Sequence, residues 1–438
     1  MKIAALLLVG ALLSVLSPAA VDVPAKAQKA LAIDERKSVL VVETEPLGTT
    51  VTAVAIKLTR AASFADDAAA QKSFEFIEEG KPRSLAGGYT NSSPARSSTP
   101  HRGSWLILTV HQHPVHPGTT DISHTYAVQQ NFDLTFSDGT LRASRQPFGL
   151  INTVNPLVDE YTFAQFSKPG FEPLHYRMFQ PTASKTNHWP AVLYPLVLTL
   201  HGYGEAGSDN RIQLEANQLS TAFAEPSWQA AHPAFVVSPQ LVSGDDPAWI
   251  GTHVQNSLLA LIAQLEARYP IDRSRIYVVG LSIGSFGAWQ LVERSKSTFA
   301  AAIFDSGGGY AYSIAPMAHF PLWNVQSLDD DTVSYFTSID AAAALKKAGA
   351  TIIHHQYPGN LPLSEAEAAA QAEWNAAKAA HTNTLFTSFA AGTTGMPGQP
   401  TVGPHASWID LFRNPVYLRW LFSQTNPVFT LPLSLGGS

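Results

Sequence analysis

The sequence predicts a mixed α/β fold: a mostly parallel sheet with helices on both faces, preceded by a small all-β sandwich. Three observations predict it. Strand and helix patterns alternate from about residue 158 onward, which is the rhythm of parallel βα units. Short β runs separated by Gly/Ser/Pro/Asn-rich turns fill residues 38–146, as in an antiparallel sandwich. The third is local. The apolar run Ile276-Tyr277-Val278-Val279 ends in Gly280-Leu281-Ser282-Ile283-Gly284 and passes at once into a helical pattern, Phe286, Ala288, Trp289, Leu291 and Val292.

The chain has 438 residues, enough for two domains and a leader. Hydrophobic residues make up 45% and charged residues 14%, the balance of a globular chain. A net charge of −6 without a basic run argues against nucleic-acid binding. The absence of cysteine excludes a disulfide framework, thiolate metal sites and a cysteine nucleophile. Lys2, the apolar run Ile3 to Leu16 and the small residues after it read as a bacterial-type signal peptide over 1–27, and hence export to the periplasm or the medium. Ala25-Lys26-Ala27 and Pro18-Ala19-Ala20 are both possible cleavage motifs. The apolar run is short for a membrane span, so no stable membrane association is expected.

Residues 36–150 form the expected sandwich domain. Val39 to Glu43, Thr50 to Leu58, Trp105 to Val110 and part of Tyr126 to Phe136 read as strands, and Ala61 to Lys72 as a helical interruption. In His111-Gln112-His113-Pro114-Val115-His116, His111 and His113 share a strand face. No third ligand is in view, so the expectation is a polar strand end and no metal.

From about Val158, Phe163 to Phe166 and Leu174 to Phe179 read as an antiparallel opening pair. Val192 to Leu200 is apolar enough for a strand buried on both faces. Phe235 to Val237, Ile276 to Val279, Ala300 to Phe304, Leu322 to Val325 and Thr351 to His355 read as further strands. His253 to Tyr269 carries Val254, Leu258, Leu261, Ile262 and Leu265 on one stripe, a helix. Sites in such sheets lie at the carboxyl ends of the strands, and this rule places the candidates.

Strand, tight turn and helix around Gly-x-Ser-x-Gly make a nucleophile elbow, with Ser282 exposed above the sheet at a helix N-terminus. A serine nucleophile needs a base, an orienting acid and oxyanion donors. His405, in Gly403-Pro404-His405 ahead of a terminal helix within Trp408 to Phe422, is the expected base. His381 is next; His354 and His355 fall inside a strand. Asp330 of Asp329-Asp330-Asp331 follows the strand Leu322 to Val325 and is the expected acid, because Asp-x-x-Val places Val333 as an apolar anchor. Asp331 and then Asp305 are the alternatives. The glycines of His201-Gly202-Tyr203-Gly204 let backbone N–H groups face the site, so Tyr203 and Ile283 are the expected oxyanion donors.

Tyr176 to Pro181, Leu200 to Asn210, Ser238-Pro239-Gln240, Ile276 to Gly284 and Trp420-Leu421-Phe422 resemble the prolyl-oligopeptidase-like branch of the α/β-hydrolases. That branch includes secreted carboxylesterases and is similar to feruloyl esterases and polyhydroxybutyrate depolymerases. The resemblance covers roughly residues 158–425, leaving 426–438 as a tail. It implies an α/β-hydrolase fold, a Ser282–His405–Asp330 triad and a site shaped by Glu205, Asn210 and Gln240. Some members carry an immunoglobulin-like N-terminal domain, which the sandwich would match. The sequence departs from the pattern at Ser285, at Ser327 and at 358–403, an insertion between the last predicted strand and His405. That insertion has a capping-box start at Ser364-Glu365-Ala366-Glu367. Its Phe386, Phe389 and Met396 are expected to wall the acyl pocket as a lid.

The expected activity is hydrolysis of a small-molecule or polymer-linked ester through an acyl-enzyme, with no metal or organic cofactor implied. A serine peptidase of the same fold is the alternative within this class. A non-catalytic polysaccharide or cell-wall binder is the alternative outside it.

Overall fold

The computed structural model describes residues 30–111, 124–186, 192–245, 247–398 and 402–429. The expected signal peptide, His113 and His116, and the tail beyond 429 lie outside the described residues.

The N-terminal half contains β1 (Val39–Glu45), β2 (Gly48–Ala62), α1 (Asp67–Ser73), β3 (Phe74–Glu78), β4 (Lys81–Arg83), β5 (Leu85–Asn91), β6 (Gly103–Val110) and β7 (Tyr126–Gln130). It ends with β8 (Leu134–Phe136), β9 (Gly139–Leu141), β10 (Pro147–Leu150) and β11 (Thr153–Val154). One sheet has the order β11-β1-β2-β6-β5, a second has β10-β7-β3-β4, and β8 and β9 pair as a two-stranded sheet. Leu40, Val42, Val54, Ile56, Leu106 and Leu108 of the first sheet pack with Phe74, Phe76, Val128 and Phe148 of the second in one cluster. Alternation drives this: each strand turns every second side chain inward. The helix read at Ala61 to Lys72 starts later than expected, because β2 runs on to Ala62 and Asp66 caps α1 by accepting from Ala69 N–H.

The C-terminal half is built on β12 (Thr162–Phe166), β13 (Leu174–Phe179), β14 (Tyr194–Leu200), β15 (Phe235–Gln240), β16 (Ile271–Leu281), β17 (Ala301–Asp305), β18 (Leu322–Ser327), β19 (Ile353–Tyr357) and β20 (Thr384–Phe389). Their order is β12-β13-β15-β14-β16-β17-β18-β20-β19. The opening pair β12/β13 is antiparallel, as is β13/β15, and the remaining pairs are parallel. The strand read as Val192 to Leu200 begins at Tyr194; Val192 and Leu193 are exposed ahead of it.

The helices are α2 (Thr182–Thr186), α3 (Ile212–Glu215), α4 (Pro226–Ala231), α5 (Thr252–Arg268), α6 (Ile283–Ser295), α7 (Phe336–Lys347), α8 (Leu363–Ala379), α9 (Trp408–Phe412) and α10 (Pro415–Phe422). Crossover direction decides which face each covers. Connections that step from β15 toward β19 carry α5, α6 and α7, and their apolar residues join one core with Leu198, Val278 and Phe304. Connections that step back, through α3 and α4 or through α8, join the other core with Val197, Tyr277, Ile303 and Trp323. Right-handed crossovers require this division. The sandwich is tied to the second face: Thr49 Oγ1 donates to Glu215 O at 2.8 Å and Thr44 Oγ1 to Leu214 O at 3.2 Å.

Within 358–398, where the expectation was a loop over the site, the chain forms α8 and a strand of the main sheet. Thr384 to Phe389 is β20, inserted between β18 and β19, with Phe386 and Phe389 in the core. Thr-Leu-Phe-Thr-Ser-Phe has the strand pattern, and the turn-rich stretch Ala390 to Gly398 follows it. The capping box is not formed either: α8 begins at Leu363 after Pro362, with no side-chain cap. The terminal helix is two helices, broken where Asn414 caps α10 by accepting from Val416 N–H.

Candidate active site

Ser282, Asp330 and His405 lie beyond the carboxyl ends of β16, β18 and β20. Ser282 ends β16 and opens α6 with φ 54° and ψ −123°, a region that costs a non-glycine residue about 1–3 kcal/mol. The flanking glycines make the turn possible. A Cβ on Gly280 would stand 2.2 Å from Gly284 O, and one on Gly284 would stand 2.0 Å from Leu200 O. The Ser282 N–H is held by Asp305 O at 3.0 Å.

The loop after β20 brings His405 over the serine. His405 Nε2 lies 2.9 Å from Ser282 Oγ, and Nδ1 lies 2.9 Å and 3.0 Å from the two carboxylate oxygens of Asp330. An ionised carboxylate only accepts, so Nδ1 carries the proton and Nε2 accepts from the serine hydroxyl. Asp330 is buried and fixed by its own turn. Its Oδ1 accepts from Thr332 N–H at 3.1 Å and Val333 N–H at 2.9 Å, and Oδ2 accepts from Gln326 Nε2 at 3.1 Å. Val333 therefore acts through its backbone rather than as an apolar anchor.

The other aspartates do different work. Asp329 accepts from Ser327 Oγ at 2.5 Å and from Gly392 N–H at 2.8 Å, tying the two loops together. This is where the departure Ser327 finds its place. Asp331 is exposed. Asp305 is fully buried and accepts from Ser407 Oγ at 2.8 Å; burial pushes its carboxyl well above the usual range. His354 is exposed on β19 and meets Ser388 Oγ at 2.8 Å, and His381 is an exposed residue after α8.

On the far side of the serine, Ile283 is the first residue of α6 and Tyr203 the first of a 3-10 turn, Tyr203–Glu205. Their N–H groups have no partner within those elements. The Tyr203 side chain is exposed and its hydroxyl donates to Asp245 at 3.1 Å. His201 receives Leu241 N–H on Nε2 at 3.0 Å and donates from Nδ1 to Gly202 O at 2.6 Å. Burial lowers its pKa to about 4, so it stays neutral and braces the loop.

Glu205 is buried, accepts from Asn217 Nδ2 at 2.7 Å, and is pushed up to about 7 by desolvation. A Cβ on Gly202 would meet Glu205 Oε2 at 3.0 Å and Ser282 Cβ at 3.5 Å, so this carboxyl adjoins the serine. Asn210 and Gln240 are buried and hydrogen-bonded to their neighbours. Asn210 Nδ2 donates to Tyr176 O at 3.1 Å, its Oδ1 accepts from Gln213 at 2.7 Å, and its N–H donates to Gln240 Oε1 at 2.6 Å. Gln240 Nε2 is spent on Glu205 O and Asp209. Both are buried braces of the loop after β14. The family resemblance implies that both shape the site, and their contacts show what each one braces.

Among the described residues no group of three His, Cys, Asp or Glu side chains could hold a metal ion. No described helix is long and apolar enough to cross a membrane.

No family model matches the sequence. A solved thermostable esterase superposes with a TM-score of 0.69 at 23% identity, covering 91% of this chain and all of that one. The fold is that of the α/β-hydrolases. Poly(3-hydroxyalkanoate) depolymerase C of Paucimonas lemoignei is 29% identical over 166 residues, 34% of this chain and 36% of that protein. The chain spans about a third of the length of the curated relative it matches. In α/β-hydrolases the nucleophile, acid and histidine occur in that order along the chain. Ser282, Asp330 and His405 follow it, although here a βα excursion through β19 and α8 precedes the strand that leads to the histidine.

Proposed function

We propose that this protein is an exported serine hydrolase that cleaves carboxylic esters through an acyl-enzyme. The observation that carries the reading is the row Ser282 Oγ, His405 Nε2, His405 Nδ1 and Asp330, with both links at 2.9 Å. Ser282 Oγ attacks the ester carbonyl while His405 Nε2 takes its proton. Asp330 holds the Nδ1–H tautomer and stabilises the imidazolium. The Ile283 and Tyr203 N–H groups receive the oxyanion. Collapse expels the alcohol, protonated by His405. Water then attacks the acyl-enzyme with His405 as base, releasing the acid and restoring Ser282.

The matched relative is a depolymerase of a polyester, which favours ester over amide and makes polymer-linked esters a substrate class to test. The apolar run at Ile3 to Leu16 supports export. The sandwich orders β1-β2-β6-β5 and β10-β7-β3-β4 match two immunoglobulin-like sheets, with A-B-E-D in one and C, F and G in the other, and support that reading of the N-terminal domain. Purified protein should hydrolyse p-nitrophenyl acetate and take a fluorophosphonate label at Ser282. The Ser282→Ala variant should lose about 10⁴-fold or more in turnover. Unlabelled protein without turnover would overturn the proposal.

A further inference from the structure

Ile283, the residue after the serine, lines an apolar pocket of about 210 Å³ together with Trp249, Ile250, Phe286 and Tyr310. The walls come from the loop after β15, the N-terminus of α6 and the loop after β17. The back is rigid. Trp249 is fully buried, its Nε1–H donates to His201 O at 2.9 Å, and a Cβ on Gly287 would stand 2.2 Å from Trp249 Cβ. The Phe286 and Tyr310 rings lie 6.4 Å apart.

We infer that this pocket binds the acyl group of the ester, and that it takes apolar acyl groups of about seven heavy atoms. The inference rests on the serine-hydrolase reading and names its substrate class. Position separates acyl from alcohol. The leaving oxygen must lie within hydrogen-bond reach of His405 Nε2 to receive its proton. His405 arrives from the loop after β20, with α9 and α10 on the second face of the sheet, whereas α6 packs on the first. None of the pocket walls belongs to the His405 or Asp330 loops. The alcohol therefore leaves on the His405 side, and the carbonyl carbon on Ser282 directs its other substituent past Ile283. Size sets the limit: at about 30 Å³ per water-sized group the pocket holds about seven. Its lining offers apolar surface and a preformed shape, with no cationic side chain for a charged acyl group.

The test is kcat/KM on p-nitrophenyl acetate, hexanoate and decanoate, for the wild type, Phe286→Trp and Tyr310→Ala. The wild type should prefer hexanoate over acetate by about tenfold or more, from buried methylenes, and should fall again at decanoate. Phe286→Trp fills the pocket and should cut the hexanoate-to-acetate ratio on the order of tenfold. Tyr310→Ala opens it and should raise the decanoate-to-hexanoate ratio. A second measurement needs no variant: the rate of Ser282 labelling by alkylphosphonate p-nitrophenyl esters should peak near hexyl. Flat ratios, or a labelling rate indifferent to chain length, overturn the pocket while leaving the hydrolase reading intact. Loss of acetate turnover and labelling in the wild type overturns the hydrolase reading itself.

Discussion

The Ser306 hydroxyl donates a 2.8 Å hydrogen bond to the backbone carbonyl of His405, 99 residues away in sequence. Ser306 also meets Ser407 Oγ at 2.5 Å, and Ser407 donates to the buried Asp305 at 2.8 Å. The end of β17 thus holds the loop that carries the histidine. Ser407→Ala should cost roughly 10- to 100-fold in kcat with KM little changed, because small displacements of a catalytic group are expensive. Steady-state kinetics on one ester measures it, and an equal rise in KM would show that substrate binding was disturbed instead.

Asp330→Asn should lower kcat on the order of 10³–10⁴-fold by allowing the wrong imidazole tautomer. Asp331→Asn, at an exposed position, should stay within about threefold of the wild type. Asp329→Asn should act through the loop it ties at Gly392, lowering stability more than the rate on an intact protein. The three variants, compared by kinetics and by denaturant midpoint, separate orienting acid from loop brace.

Glu205 sets a pH dependence of stability. Burial raises its pKa from 4.5 to about 7, so the folded protein holds this proton when the unfolded chain has released it. Its stability contribution is complete below pH 4.5 and is lost as pH rises through 7. The loss amounts to about 3 kcal/mol across that window. Glu205→Gln carries no such proton. The wild type should lose stability relative to the variant by about that amount between pH 4.5 and 8, and urea melts at several pH values measure the difference. A pH-independent difference would show that the carboxyl is already ionised throughout.

Phe389 is buried in β20, with Tyr357 at 5.6 Å between ring centroids. Phe389→Ala should cost about 3–5 kcal/mol of stability, read from chemical denaturation. Replacing residues 362–399 with a short linker should yield insoluble protein, because it removes a paired strand and leaves β18 and β19 as unpaired edges. A soluble, folded deletion would contradict the placement of β20 within the sheet.

Much of the fold was legible because it is written in local periodicity. Tyr194 to Leu200 and Ile276 to Leu281 are continuous apolar runs, as strands covered on both faces must be. The elbow was legible for the same reason, since strand, glycines, serine and helix are adjacent in the chain. Asp330 and His405 were legible by order and strand ends, although three adjacent aspartates left the acid open.

What remained was decided by contacts between distant segments. β20 is a strand because β18 and β19 leave it a slot between them, and its own sequence is too short to outweigh the turn residues around it. Asn210 and Gln240 look like binding residues until each amide is seen to be spent on its neighbours. The pocket that Ile283 lines has walls from three loops separated by up to 66 residues between Gly244 and Tyr310. The sequence by itself determined the fold class and the residue types at the strand ends. Only the tertiary structure decided which of them touch, because hydrogen bonds and burial depend on groups the chain brings together after long excursions.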